Sequence, residues 1–234
     1  MKLSLCIATM NRWDKFLSNT LPKYLENPYI GEIIISDENG EDAKKIRENI
    51  TDSRVKVYVN DSRLGAFRNK RKAVSYATFP WVCLMDSDNF APIEYFHAWR
   101  RVFDENNTTM IYSPSMTYPT SNHPGFNWTH ILDVFTPTTF KQVVAKHWHN
   151  HQLNVGNYIV SKEQFMKGEP PADSDLNIRC HAMDVQYQNY LLFTSGASMR
   201  LVSGMKYYHN VHDESYYVTE GAKSAQDEIF NLYR

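Results

Sequence analysis

A charge imbalance is missing from this sequence: its 25 Lys plus Arg nearly cancel its 26 Asp plus Glu over 234 residues. No general pull toward nucleic acid or an anionic membrane is therefore expected, and any basic site must be local. Cysteine is scarce too. Cys6, Cys83 and Cys180 are odd in number and lack zinc-type spacing, and Cys6 and Cys83 sit inside apolar runs, which favours buried free thiols over a disulfide framework. No run of about 18 apolar residues is present to span a bilayer. The opening run Leu3 to Ala8 meets a polar turn at Thr9 to Arg12, too soon for a signal peptide. A cytoplasmic protein without a transmembrane segment is the expectation. Internal repeats and low-complexity tracts are also lacking.

Aromatic residues are abundant, at 14% with 15 Tyr and 5 Trp, which suits faces that stack on bases or sugars as well as an ordinary core. The first ninety residues read as alternating strands and helices. Strands are expected at Leu3 to Ala8, Glu32 to Ser36, Val55 to Val59 and Trp81 to Met85, with helices at Trp13 to Glu26, Glu41 to Asn49 and Gly65 to Ala77. That order predicts an α/β fold with a mostly parallel, doubly wound sheet that binds ligands at the carboxyl ends of its strands. After Pro92 the pattern loosens. Helices are expected at Ile93 to Glu105, Thr138 to Lys146 and Asp184 to Phe193, and strands at Met110 to Ser113, Tyr158 to Ser161 and Ser198 to Val202. Pro114 to Asp133 reads as irregular. The division expected is a nucleotide-binding half, residues 1–92, and an acceptor-binding half, residues 93–234, of one structural unit.

Three polar clusters fall at strand ends: Thr9 to Arg12, Asp37 to Gly40 and Asp86 to Asn89. In a parallel sheet these ends share one edge, so the clusters converge. Asp86-Ser87-Asp88 follows the apolar run Trp81 to Met85 and delivers two carboxylates to that edge. Such oxygen ligands suit Mg²⁺ or Mn²⁺ against a diphosphate. A D-x-D triplet alone is a common solvated turn; its place after a buried strand favours the functional reading. The stretch Asp61 to Arg71 opens a helix with one glycine and four cations, suited to an anion or a base, or to solvent.

With these features the sequence resembles glycosyltransferase family 2, the inverting nucleotide-sugar family with the GT-A fold. The matching segments are LSLCIATMNR, IIISDENGED, RLGAFRNKRKAVSYA and WVCLMDSDN, and more loosely VGNYIVSKEQF and HAMDVQYQNYLL. The resemblance implies that Thr9 and Arg12 lie along the nucleoside, that Asp37 and Arg68 meet the base, that Asp86 and Ser87 face the ribose or metal, and that Asp88 ligates the metal. It implies Asp184 as catalytic base, although an Asp at a helix start is also an ordinary cap; Asp173 and Asp175 are the alternatives. His209 and His212 offer a late metal ligand of the kind GT-A enzymes supply. His147-Trp148-His149-Asn150-His151 lacks partners at zinc spacing and reads as a loop near the acceptor, with Trp148 a sugar-stacking face. One departure stands out: Asp37-Glu38-Asn39-Gly40 replaces the Asp-Asp-Gly-Ser run that members often carry.

The implied function is metal-dependent transfer of a sugar from a nucleoside-diphosphate sugar to a glycan hydroxyl, with inversion. UDP is the expected nucleotide because it is the commonest among such enzymes. The alternatives are a non-catalytic module that binds a nucleotide sugar or glycan, and a sugar nucleotidyltransferase. The latter usually carries a glycine-rich phosphate loop after strand one, and Ala8 to Arg12 has no glycine. A haloacid-dehalogenase phosphatase would place its Asp-x-Asp after the first strand, not the fourth.

Overall fold

The structure is a computed structural model describing residues 1–119, 125–127, 134–139, 156–169, 183–210 and 212. Eight strands form one sheet: β1 (Leu3–Thr9), β2 (Ile30–Asp37), β3 (Val55–Val59), β4 (Trp81–Leu84), β5 (Met110–Tyr118), β6 (Val134–Phe135), β7 (Ile159–Ser161) and β8 (Ser198–Tyr208). Their order is β3-β2-β1-β4-β7-β5-β8-β6. β3, β2, β1 and β4 are mutually parallel, β7 runs antiparallel to β4 and β5, and β5 pairs parallel with β8. The chain leaves β1 toward β2 and β3, then returns to lay β4 on the other side of β1. That reversal opens a crevice at the carboxyl ends of β1 and β4, where such sheets bind ligands.

β1 and β4 read as nearly unbroken apolar runs because both their faces are covered. On one face Leu5, Ile7, Ile33 and Cys83 pack with Leu21 and Tyr24 of α1 (Ser18–Leu25) and with Tyr95, Phe96 and Trp99 of α4 (Ile93–Val102). On the other, Cys6, Ile34, Val82 and Val160 meet Ala73 and Val74 of α3 (Gly65–Tyr76), Phe165 of α5 (Lys162–Met166), and Leu192 and Phe193 of α6 (Gln188–Thr194). Cys6 and Cys83 are buried free thiols, and burial pushes both above the ordinary thiol range. Wide π-type turns, Trp13–Leu17 and Met183–Tyr187, lead into α1 and α6, and α2 (Glu41–Asn49) follows β2.

Three expectations are corrected. β5 runs on to Tyr118 instead of ending at Ser113, and β8 runs on to Tyr208 instead of Val202. Ser203-Gly204 interrupts the apolar alternation of β8, yet a bulge between the Pro114–Val202 and Met116–Lys206 pairs absorbs it, with Gly204 at φ +79°. α4 stops at Val102, short of Glu105. Most of the helix expected at Thr138 to Lys146 lies outside the described residues, as do Trp148, Asp173, Asp175 and Cys180. Among the described residues no helix is long and apolar enough to cross a membrane.

Glu32 locks the amino-terminal side of the sheet. Its buried carboxylate accepts from Ser4 Oγ (2.6 Å), Lys56 Nζ (2.6 Å) and both the amide and hydroxyl of Thr78. Burial alone would raise its pKa, but these donors outweigh burial and hold it down at about 2. The unfolded chain, with a Glu pKa of about 4.3, then binds more protons through that interval. The stability Glu32 contributes is therefore full above about pH 5 and is lost as pH falls toward 2. Glu32→Gln is expected to lower Tm at pH 7 and to flatten the acid limb of a Tm-against-pH series; an unchanged limb would contradict this.

Candidate active site

The end of β1 is held by an acid from α2. Asp42 accepts the Thr9 hydroxyl on Oδ2 and the amides of Arg12 and Trp13 on Oδ1, each at 2.8 Å. It thereby satisfies amides at the start of the Trp13–Leu17 turn that no helical carbonyl reaches. Asn11 adopts φ +58°, and Asn39 Nδ2 donates to its side-chain oxygen at 2.9 Å. Asp37 is fully buried and draws the amides of Ala43 (2.8 Å) and Asn39 (3.3 Å). Glu38 accepts from the Leu64 amide at 2.6 Å, fixing the entry to α3, whose first residue Gly65 needs φ +75°. One turn on, Arg68 lies beside Asn69, which accepts from Asn60 Nδ2 at 2.9 Å and so ties α3 to the end of β3.

Lys70 stands at the centre. Its side chain is 8% exposed, and Nζ lies 2.5 Å from both Asp86 Oδ1 and Asp184 Oδ2. Burial opposes the ammonium charge, but the two carboxylates outweigh burial and raise its pKa above the ordinary range. Asp86 Oδ2 accepts from Asn157 Nδ2 (2.9 Å) and Asn89 Nδ2 (3.1 Å), while the Asp86 amide donates to Asn157 Oδ1 at 2.7 Å. Burial pushes Asp86 up, and Lys70 with Asn157 overcomes it, leaving Asp86 below the usual carboxylate range. Asp184 goes the other way: burial, reinforced by the Asp86 charge, outweighs Lys70 and raises its proton affinity. Gly156 lets these parts meet, since a Cβ there would sit 2.8 Å from Val185 Cγ2 and 3.5 Å from Lys70 Nζ.

Asp88 belongs to a second cluster. Its Oδ2 lies 3.1 Å from His212 Nε2, and both side chains are about one fifth exposed, at 20% and 19%. The strand that extends β8 delivers this contact. Phe90 and Tyr208 exchange backbone bonds of 3.1 and 2.8 Å, and the Asn210 amide donates to Asn89 Oδ1 at 3.0 Å. His212 packs on Phe16, with ring centroids 5.1 Å apart. Burial and the Asp86 charge raise the Asp88 pKa, with His212 and Arg12 opposing.

Of the four candidate metal ligands, the structure thus pairs Asp88 with His212. Asp86 turns toward Lys70, and His209 packs between Phe126 and Tyr207. Among the described residues no three His, Cys, Asp or Glu side chains form a group that could hold a metal. A carboxylate oxygen and an imidazole nitrogen in contact at a partly exposed edge are donor types that suit Mn²⁺. Asp42, Lys70, Asn157 and Asn210 were not singled out from sequence. Lys70 is visible in the sequence only as one cation of four, and Asn157 only within the loosely matching segment VGNYIVSKEQF.

The glycosyl transferase family 2 model matches residues 4–165. No curated protein sequence matches significantly. Among solved structures the chain is similar to S. aureus TarS 1-349 in complex with UDP-GlcNAc, at TM-score 0.71 and 15% identity. It covers 100% of this chain and spans 65% of that one. It is also similar to GalNAc-T7 with UDP, GalNAc and Mn²⁺, at TM-score 0.64 and 12% identity over 95% of this chain and 45% of that one. The mannosyltransferase PcManGT from Pyrobaculum calidifontis, in complex with GDP-Man and Mn²⁺, gives TM-score 0.59 and 15% identity over 92% and 59%. These likenesses show the GT-A fold.

If Asp88 and His212 hold the cation, Asp88→Ala is expected to abolish the gain in UDP affinity that Mn²⁺ confers in calorimetry, and His212→Ala to reduce it. UDP binding in excess chelator should stay near the wild-type level in both variants. An undiminished Mn²⁺ effect in Asp88→Ala would remove this pair from the cation site.

Proposed function

Since the chain belongs to glycosyl transferase family 2, we propose that it transfers a sugar from a nucleoside-diphosphate sugar, with UDP as the preferred nucleotide, to a glycan hydroxyl with inversion at the anomeric carbon. The observation that carries this reading is the placement of two separate acidic clusters at one sheet edge, Asp88 with His212 and Asp184 with Lys70. Single displacement needs that separation: one group to steady the departing diphosphate and another to take the acceptor's proton.

In this reading residues 1–92 carry the nucleotide sugar and the rest carries the acceptor. Thr9, Arg12, Asp37 and Arg68 frame the nucleoside, with Asp86 and Ser87 beside the ribose and diphosphate. Asp88 and His212 would hold Mn²⁺ or Mg²⁺, which supplies positive charge against the diphosphate as the glycosidic bond breaks. Asp184 is the base. Its raised proton affinity suits it better than an ordinary aspartate to removing a hydroxyl proton near neutral pH. The presence of a third carboxylate, set apart from the Asp86-Ser87-Asp88 triplet, favours an enzyme over a module that only binds.

A screen of UDP-, GDP- and dTDP-sugars with and without Mn²⁺, read as nucleoside diphosphate release, identifies the donor. With it, Asp184→Asn is expected to lower transfer by about 10²-fold or more, consistent with loss of a general base, while nucleotide affinity stays nearly unchanged. Near wild-type turnover, or a product keeping the donor's anomeric configuration by NMR, would remove Asp184 from this role.

A further inference from the structure

One buried cation joins the two acidic segments of the site. Lys70 is buried, belongs to the helix that carries Arg68, and bonds at equal length to carboxylates from β4's end and from the Met183–Tyr187 turn. A buried ammonium is costly unless its partners satisfy it, and two carboxylates left without it would repel each other. Lys70 therefore closes a gap between two segments that no backbone pairing joins among the described residues. Its neighbour Arg71 anchors the same helix on the acceptor side, donating to the carbonyls of Phe165 (3.1 Å), Met166 (2.8 Å) and Gly168 (3.0 Å) and to Gln188 Oε1 (3.2 Å). α3 is thus tied to the β2 and β3 ends through Glu38 and Asn60, and to α5 and α6 through Arg71.

We infer that Lys70 is a positioning residue for the transfer reaction: it sets the place of the base Asp184 relative to the nucleotide-bearing edge at Asp86, and it acts through Asp184. This rests on the assignment of Asp184 as base. The two partners do not depend on Lys70 equally. Asp86 has two further donors, Asn157 Nδ2 at 2.9 Å and Asn89 Nδ2 at 3.1 Å, which hold the donor side without the ammonium. The loss falls on Asp184, whose carboxylate is pushed off the orientation in which it meets the acceptor hydroxyl. A displacement of that size at a reacting group costs rate more than binding.

The test is a double-mutant cycle on the full chain, with the donor that the screen identifies and with UDP binding measured beside rate. Lys70→Met is expected to lower kcat by about 10²-fold while the calorimetric Kd for UDP with Mn²⁺ changes by less than about 5-fold. In the Asp184→Asn background the same change should cost less than about 3-fold, because the group through which Lys70 acts is already gone. Should Lys70→Met fail to fold, the Lys70→Met, Asp184→Asn double variant removes one of the opposed carboxylates and still reports whether a loss is added to that of Asp184→Asn. Lys70→Ala supplied with methylammonium should regain kcat in a dose-dependent way. Losses that multiply, or a Kd that rises in step with the fall in kcat, would overturn the inference for Lys70 while Asp184 stood. An active Asp184→Asn variant would overturn the base assignment and this inference together.

Discussion

The site hangs on the charge balance around one buried ammonium. Lys70 is held within bonding distance of Asp86 and Asp184, which come from segments far apart in the chain. Removing one partner from a buried ion pair leaves an uncompensated charge, which is far costlier than the net gain of forming the pair. The arrangement therefore contributes more to geometry than to stability. It also divides the chemistry: Asp86 is held ionised below the usual range, whereas Asp184 is raised by the same burial and by the Asp86 charge.

The sheet supplies the frame that makes this balance possible. The reversal of strand order at β1 places the ends of β1 and β4 side by side, and the acids of the β2 end bind backbone amides that shape the neighbouring loops. Asp37 and Asp42 draw in the amides of the β1 and β2 turns, and Glu38 draws in the start of α3. The antiparallel β7 then inserts beside β4 and brings Asn157 onto Asp86, while the extended β8 carries the Asn210 side chain to the Asp88 carbonyl and His212 to the Asp88 carboxylate. Residues of the second half thus complete a site that the first half begins.

Much of this was legible in the sequence, for physical reasons that also set the limit. Strands buried on both faces show as apolar runs, so β1, β2 and β4 and the polar residues that follow them could be read directly, and with them the position of Asp86 and Asp88. The helix start at Asp184 carries an acid where an ordinary cap also fits, and only the family resemblance favours a base there. The long pairing of β5 with β8 was not legible, because Pro114 and Ser203-Gly204 look like breakers until a bulge absorbs them. Nor was the contact of Lys70 with Asp184, or which of the two late histidines, both candidate metal ligands, meets Asp88. The partners in these contacts lie 114 and 124 positions apart, and no local pattern encodes a contact made only when two halves of a sheet close.

The central claim is that the cation and the base occupy separate clusters at one edge, with Lys70 between Asp86 and Asp184. Anomalous diffraction from a crystal of the chain grown with UDP and Mn²⁺ tests it most directly. The account predicts one manganese peak bonded to Asp88 and His212, with Lys70 still joining Asp86 to Asp184. A peak bonded to Asp184, or a manganese site away from Asp88, would contradict it.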